Sequence, residues 1–211
     1  MYILFDLEAM FNPDNKGHVK HDDFMEIIEI GAYKVESLPI THYEKDIVNI
    51  ENKCVIKDEF HAFIKPTFHK LSKKMSKLTH ITQEELENAK SYSDVIEDFI
   101  DWAGTDSVFV AWSQSDEQMI NENNRKNYIY NFPRITYINL QQEYDKIRHK
   151  KFRTGLSTAL DECDFTFTGA QHNALSDARN MLYIFQMLLT GNDRGQFKVP
   201  FLNSVWRICC V

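Results

Sequence analysis

Five side chains spread along this 211-residue chain, Asp6, Glu8, Asp116, His172 and Asp177, have the types and spacing to do chemistry together. Asp6 and Glu8 lie in the apolar run YILFDLEAM, which predicts a strand, and side chains two apart on a strand point to one face. Two carboxylates on one face of a buried strand lose water and repel each other, a cost that a divalent cation removes. The donor set is that of a cation site able to activate water.

The surrounding elements must bring the other three residues to that strand. Asp177 lies in HNALSDARNMLYIFQMLL, where Ala174, Ala178, Met181, Leu182, Phe185 and Leu189 recur at helical spacing and predict an amphipathic helix. His172 is five positions before Asp177 and would face away from it in continuous helix, so it belongs to the loop before that helix. Asp116 follows the β-type run SVFVAW, and Ser115 with Gln118 forms a capping-box pattern that predicts a helix start. Glu117 is a second acid at this junction. Register places Asp116 first as the ligand, and either acid would also complement the positive end of the helix. Each residue alone has an ordinary reading, as a loop acid, a solvated helix position or a surface or satisfied core histidine like His18, His21, His42, His61, His69, His80 and His149. The ordered set carries the argument.

That set resembles the DEDDh 3′-to-5′ exonucleases, whose motifs run Asp-x-Glu, a mid-chain Asp, then His-x-x-x-x-Asp. Flanking segments fit as well: FDLEAM resembles the first motif, EIIEIGAYKVES the second strand, FIKPTFHKLSKKMSKLTHITQEELENAKSY the third strand and helical arm, and GLSTALDECDFTFTGAQHNALSDARN the last motif. The resemblance covers roughly residues 1 to 190 and is closest to the branch of the histone-mRNA exonucleases and bacterial sporulation-inhibitor-type exonucleases. One departure is that Trp112 is followed by Ser113, Gln114 and Ser115 where that branch usually has glycine before the acid.

The resemblance implies a ribonuclease H-like α/β fold and hydrolysis of single-stranded RNA or DNA from its 3′ end, RNA in preference to DNA. It also implies two divalent cations, Mg2+ or Mn2+, roughly 3.5 to 4 Å apart. Asp6 would bridge them, Glu8 and Asp177 would complete the first and Asp116 would help hold the second, while His172 would take the proton from the attacking water. Ala9, Met10 and Phe11 follow the first motif, a segment that touches the terminal nucleotide in the family. Met10 or Phe11 would then stack on its base, or the segment is simply apolar loop packing. A catalytically silent binding protein and a small phosphodiesterase acting on dinucleotides are the rival readings.

Composition bounds these readings. The net charge of −7 opposes nucleic-acid binding at a distance, but several excess acids belong to the proposed cation site. Basic clusters remain at Lys70 to Lys77 and at Lys146, Arg148, Lys150, Lys151 and Arg153. Lys150, Lys151 and Arg153 are the candidate phosphate contacts, and for Lys73, Lys74 and Lys77 a solvated face is an equal alternative. No apolar stretch approaches the roughly 20 residues of a membrane helix, and Met1 leads into a strand rather than a basic signal region, so a cytoplasmic location is expected. Cys54, Cys163, Cys209 and Cys210 show no zinc spacing, which leaves reduced thiols as the default.

A mixed five-stranded sheet flanked by helices is expected within residues 1–190. Strands are predicted near 1–8, 26–35, 60–65, 108–112 and 135–138, and helices at 82–88, 92–103, 116–127, 140–148 and 156–163 before the last one. Residues 38–57 are irregular or a hairpin. Residues 191–211 form a turn-rich linker and an apolar tail, FLNSVWRICCV, expected to dock on its own core, with a homodimer or protein-partner surface as the alternative.

Overall fold

The structure is a computed structural model and describes residues 1–10, 24–44 and 47–190. Phe11, the linker and the C-terminal tail with Cys209 and Cys210 lie outside the described residues. The strands are β1 (Tyr2–Met10), β2 (Glu26–Glu44), β3 (Ile47–Phe63), β4 (Val108–Ala111) and β5 (Thr136–Asn139). The helices are α1 (Lys73–Thr79), α2 (Gln83–Asn88), α3 (Tyr92–Ala103), α4 (Gln114–Lys126), α5 (Leu140–Ile147), α6 (Leu156–Glu162) and α7 (Ala174–Thr190). No described helix is long and apolar enough to cross a membrane.

The sheet runs β3-β2-β1-β4-β5, with β1 antiparallel to β2, β2 antiparallel to β3, and β1, β4 and β5 parallel. This is the expected mixed five-stranded sheet. Residues 38–57 resolve to the hairpin alternative, because β2 and β3 pair continuously out to Glu44 and Ile47. Ladder bonds are made by backbone, so the charges and asparagines scattered through this stretch do not stop it. Helix α1 was not legible as a helix. It spans only seven residues, begins at Ser72 through a side-chain cap to the Met75 N–H, and buries little beyond Met75 and Thr79. Its Lys73, Lys74 and Lys77 are exposed, as the solvated-face reading expects.

Alternation along β1 divides the core and aims the acids. Ile3, Phe5 and Leu7 pack on the layer of α3 and α4, with Phe5 against Phe99 and Phe109. Tyr2 and Leu4 face the layer of α5, α6 and α7, with the Tyr2 ring on Phe185. Asp6 and Glu8 continue this second face, beyond the apolar part of the layer. Helix α7 buries Ala174, Ala178, Met181, Ile184, Phe185, Leu188 and Leu189 against the sheet. Its first turn crosses β2 at Gly31, where a Cβ would stand 2.1 Å from the Leu175 nitrogen and 2.3 Å from the Ala174 carbonyl carbon. Both neighbours are backbone and cannot swing aside, so only glycine admits the helix here.

Gly31→Ala is accordingly expected to destabilise the fold by at least the upper end of the about 1–3 kcal/mol that overpacking costs. Urea denaturation measures it. An unchanged midpoint would mean that α7 does not rest on β2 at this point.

Candidate metal centre

Carboxylate oxygens of Asp6, Glu8 and Asp177 lie within 4.8 Å of one another, although Asp177 is about 170 residues from the other two in sequence. Asp6 and Glu8 come from one face of β1, and Asp177 from the first turn of α7. Asp116 is the third residue of α4, buried to 5 % exposure, at the carboxyl end of β4 beside β1. Glu117 is more exposed, and the charge of Asp116 contributes more than any other to the shift at Asp6. Asp116 is not one of the three acids within 4.8 Å of one another, but its burial and its charge on Asp6 favour it over Glu117 as the fourth acid of the site.

The helix start at Asp116 differs in detail from expectation. Ser113, not Ser115, is the cap, and Asp116 itself completes the capping box by accepting from the Ser113 N–H at 3.3 Å and hydroxyl at 3.1 Å. Ser113 and Ser115 both satisfy the sequence pattern, and Ser115 falls inside the helix that Ser113 caps.

Electrostatics show what this assembly costs. Burial, then the charges of Asp116, Asp177, Glu8 and Glu29, raise Asp6 well above the ordinary aspartate value. Burial, then Asp177, Glu29 and Asp116, pushes Glu8 up to about 8. Burial pushes Asp116 and Asp177 to about 6, although hydrogen bonds from Ser113 and from the His172 N–H oppose the two shifts. Clustered, partly dehydrated carboxylates with raised affinity for positive charge fit a divalent cation, and an all-oxygen donor set suits Mg2+ or Mn2+.

His172 is exposed on the turn before α7, at φ 59°, and its N–H donates to Asp177 Oδ2 at 3.1 Å. The loop placement expected from its five-residue spacing is what the structure has. Asn180 on α7 ties the loop down. Its side chain accepts from the Thr168 N–H at 2.9 Å and donates to the Thr168 carbonyl at 2.8 Å and the Ser176 carbonyl at 2.7 Å.

Glu29 is the residue that sequence reading missed. It is fully buried directly across the ladder from Glu8, next to a bulge between Glu8 and Ala9. Like charges so placed repel. Glu29 is held by the Asn173 side-chain amide at 2.9 Å, the Ala174 N–H at 3.2 Å and the His61 ring at 2.7 Å. The hydrogen bond that the His61 ring donates to Glu29 raises the His61 pKa. Glu29 thereby fastens the start of α7 to β2, beside Gly31. Its one sequence signal is a charge between Ile28 and Ile30 in an otherwise apolar run.

Two proposed substrate contacts, Ala9 and Met10, need correction. Ala9 and Met10 are buried in the core, Met10 completely and against Ile28, Met75, Ile81 and Leu86, so neither side chain presents a face to a base. The apolar-packing reading holds for both, because β1 continues two residues past Glu8 instead of ending there. Lys150 is engaged by Glu162 at 2.6 Å. Lys151 and Arg153 are exposed and have no acidic partner among the described residues.

A family model described as Exonuclease matches residues 3–185. The chain belongs to the exonuclease family. It is 26% identical over 179 residues to the probable 3′-5′ exonuclease KapD of Bacillus subtilis, covering 83% of this chain and 78% of that protein. It is 28% identical over 159 residues to ERI1 exoribonuclease 2 of Danio rerio, covering 64% of this chain but only 28% of that protein. The nuclease domain of 3′hExo, a DEDDh family member bound to rAMP, superposes with a TM-score of 0.71 at 20% identity over 94% of this chain and 96% of that one. The exonuclease thus has the ribonuclease H-like fold expected of it.

The raised carboxylates set a pH dependence. An acid whose folded pKa lies above its unfolded value supports the fold below the unfolded pKa and loses that support as pH rises through the folded pKa. The metal-free exonuclease should therefore lose stability between about pH 4 and pH 8, through about 6 for Asp116 and Asp177 and about 8 for Glu8. Mg2+ or Mn2+ should raise Tm more at the alkaline end, where binding displaces fewer protons. Calorimetry across that range, with and without metal, checks it, and a metal-induced shift independent of pH would contradict the assignment.

Proposed function

We propose that this exonuclease releases nucleoside 5′-monophosphates from the 3′ end of single-stranded nucleic acid, RNA in preference to DNA, using two divalent cations held by Asp6, Glu8, Asp116 and Asp177. The observation that carries the reading is the convergence of Asp6, Glu8 and Asp177 on a point that one cation can occupy, with the exposed His172 bonded to Asp177. A noncatalytic binding module has no use for acids that weaken its own metal-free fold. The names of KapD and ERI1 exoribonuclease 2 support the 3′ polarity and the RNA preference, as does the rAMP bound to 3′hExo.

When bound, the cations supply an activated water and neutralise charge on the leaving oxygen. Residues of the chain do the rest. Asp6 and Glu8 present their carboxylates from a rigid central strand, and Asp177 arrives on a helix locked by Gly31 and Glu29. His172 takes the proton of the attacking water, from a loop whose exposure lets the imidazole reach substrate and exchange the proton with solvent.

Purified protein with 5′-labelled single-stranded RNA and Mg2+ or Mn2+ should give a ladder shortening from the 3′ end. EDTA should abolish it, and a blocked 3′ end should resist. Cleavage without divalent ions would overturn the mechanism, and confinement of activity to dinucleotides would replace it with that of a small phosphodiesterase. His172→Ala should lower turnover by about 10² to 10⁴-fold with metal binding retained. Asp6→Asn should abolish activity while raising the Tm of the metal-free protein, because it relieves repulsion at the most crowded acid. Activity retained by either variant would remove that residue from the mechanism.

A further inference from the structure

We infer that Phe152 is a stacking platform for a base of the single strand upstream of its 3′ end, with Lys151 and Arg153 beside it as the phosphate contacts. The inference rests on the exonuclease reading above and adds a subsite to it. Phe152 is 87 % exposed, the most exposed large apolar side chain among the described residues. A solvated phenylalanine costs apolar surface and does nothing for the core, and its two neighbours are exposed cations with no acidic partner among the described residues, in a protein of net charge −7. An aromatic face between two cations matches single-stranded nucleic acid, in which a π-face and a phosphate recur at every nucleotide.

The loop is anchored close to the acids. Thr154, two residues on, is buried, and its carbonyl accepts from Trp112 Nε1 at 3.2 Å and from Gln141 Nε2 at 2.6 Å, while its N–H donates to Asp145 Oδ2 at 3.4 Å. Trp112 directly precedes Ser113, the cap that orients Asp116. Gln141 lies in the first turn of α5, which follows β5 directly, and donates its N–H to the Trp112 carbonyl at 2.8 Å. Two residues reach at most about 7 Å, so the Phe152 backbone lies within that distance of Thr154, which is tied to Trp112 and Gln141 at the carboxyl ends of β4 and β5. Upstream of the anchor, Lys150 is held by Glu162, which leaves Lys151, Phe152 and Arg153 as the presented tip.

Tyr130 provides the contrast. It is 78 % exposed, but it follows α4, whose 13 residues lead about 20 Å away from the carboxyl edge. Its exposure is equal in kind and its position is wrong for the substrate.

The test measures kcat and KM on a long 5′-labelled single-stranded RNA and on a dinucleotide, with Mg2+ or Mn2+ present. Phe152→Ala should raise KM on the long RNA by about 5- to 150-fold, the range of one base–aromatic stack, and so shrink the preference for long over short substrate. Phe152→Tyr should retain that preference. Phe152→Leu, apolar and of similar size but without a π-face, should lose it, and Tyr130→Ala should retain it. An abasic site walked along the RNA should raise KM at one upstream position in the wild type and have no effect there in Phe152→Ala. If the wild type degrades RNA from its 3′ end while Phe152→Ala or Phe152→Leu matches it on both substrates, the platform is overturned and the exonuclease reading stands. A wild type inert on every 3′ end would overturn both.

Discussion

Repulsion among buried carboxylates is the constraint that the rest of this structure serves. Asp6, Glu8, Asp177, Asp116 and Glu29 converge on one end of the sheet, and the charges of the other four all raise the proton affinity of Asp6. Left to themselves, these groups would move apart. They are held because each is fixed by an element whose position is set elsewhere: β1 by its pairing with β2 and β4, α4 by the Ser113 cap, and α7 by its apolar face on the sheet. Burial of apolar surface far from the site thus supplies the free energy that keeps the acids together. A divalent cation held there would turn this stored unfavourable electrostatics into binding affinity.

Helix α7 is the most demanding of these placements, since it carries Asp177 and ends the loop that carries His172. Its docking uses an absence and a presence on the same face of β2. Gly31 removes the side chain that would hold the helix off, and Glu29 accepts from its first N–H and from Asn173. A carboxylate at a helix start is favoured by the helix dipole, so Glu29 is stabilised by the helix that it fastens. It also stands opposite Glu8, where it raises the negative potential that a cation would feel. One residue therefore serves both the packing and the electrostatics of the centre.

On the far side of Asp116, Trp112 and Gln141 tie the α5–α6 loop to the same edge through the Thr154 carbonyl. The acids at this edge repel a polyanion, whereas Lys151 and Arg153 attract it. Such a division favours engagement of a free end over adhesion along a polymer. The overall negative charge of the chain has the same effect.

The chemistry was legible in the sequence because its signals are local. Period-two spacing places Asp6 and Glu8 on one strand face, helical spacing places Asp177 on an apolar-striped helix, and five residues to His172 put that residue on the preceding turn. These rules depend only on backbone geometry and so need no knowledge of neighbours. Tertiary structure alone decided the rest. The two serines ahead of Asp116 carry the same capping signal, and only the folded chain shows that Ser113 is the cap. Met10 looked like a loop residue at the substrate and became core because β2 extends β1 by pairing past Glu8. Lys150, Lys151 and Arg153 were equivalent in a basic run, and only the fold shows that the first also pairs with Glu162 at the surface. Glu29 and Gly31 read as a stray charge and a small residue in a strand, and gained their roles only when a helix some 145 residues later crossed them. Contacts between distant segments leave no periodic trace in either segment, so no local rule could have found them.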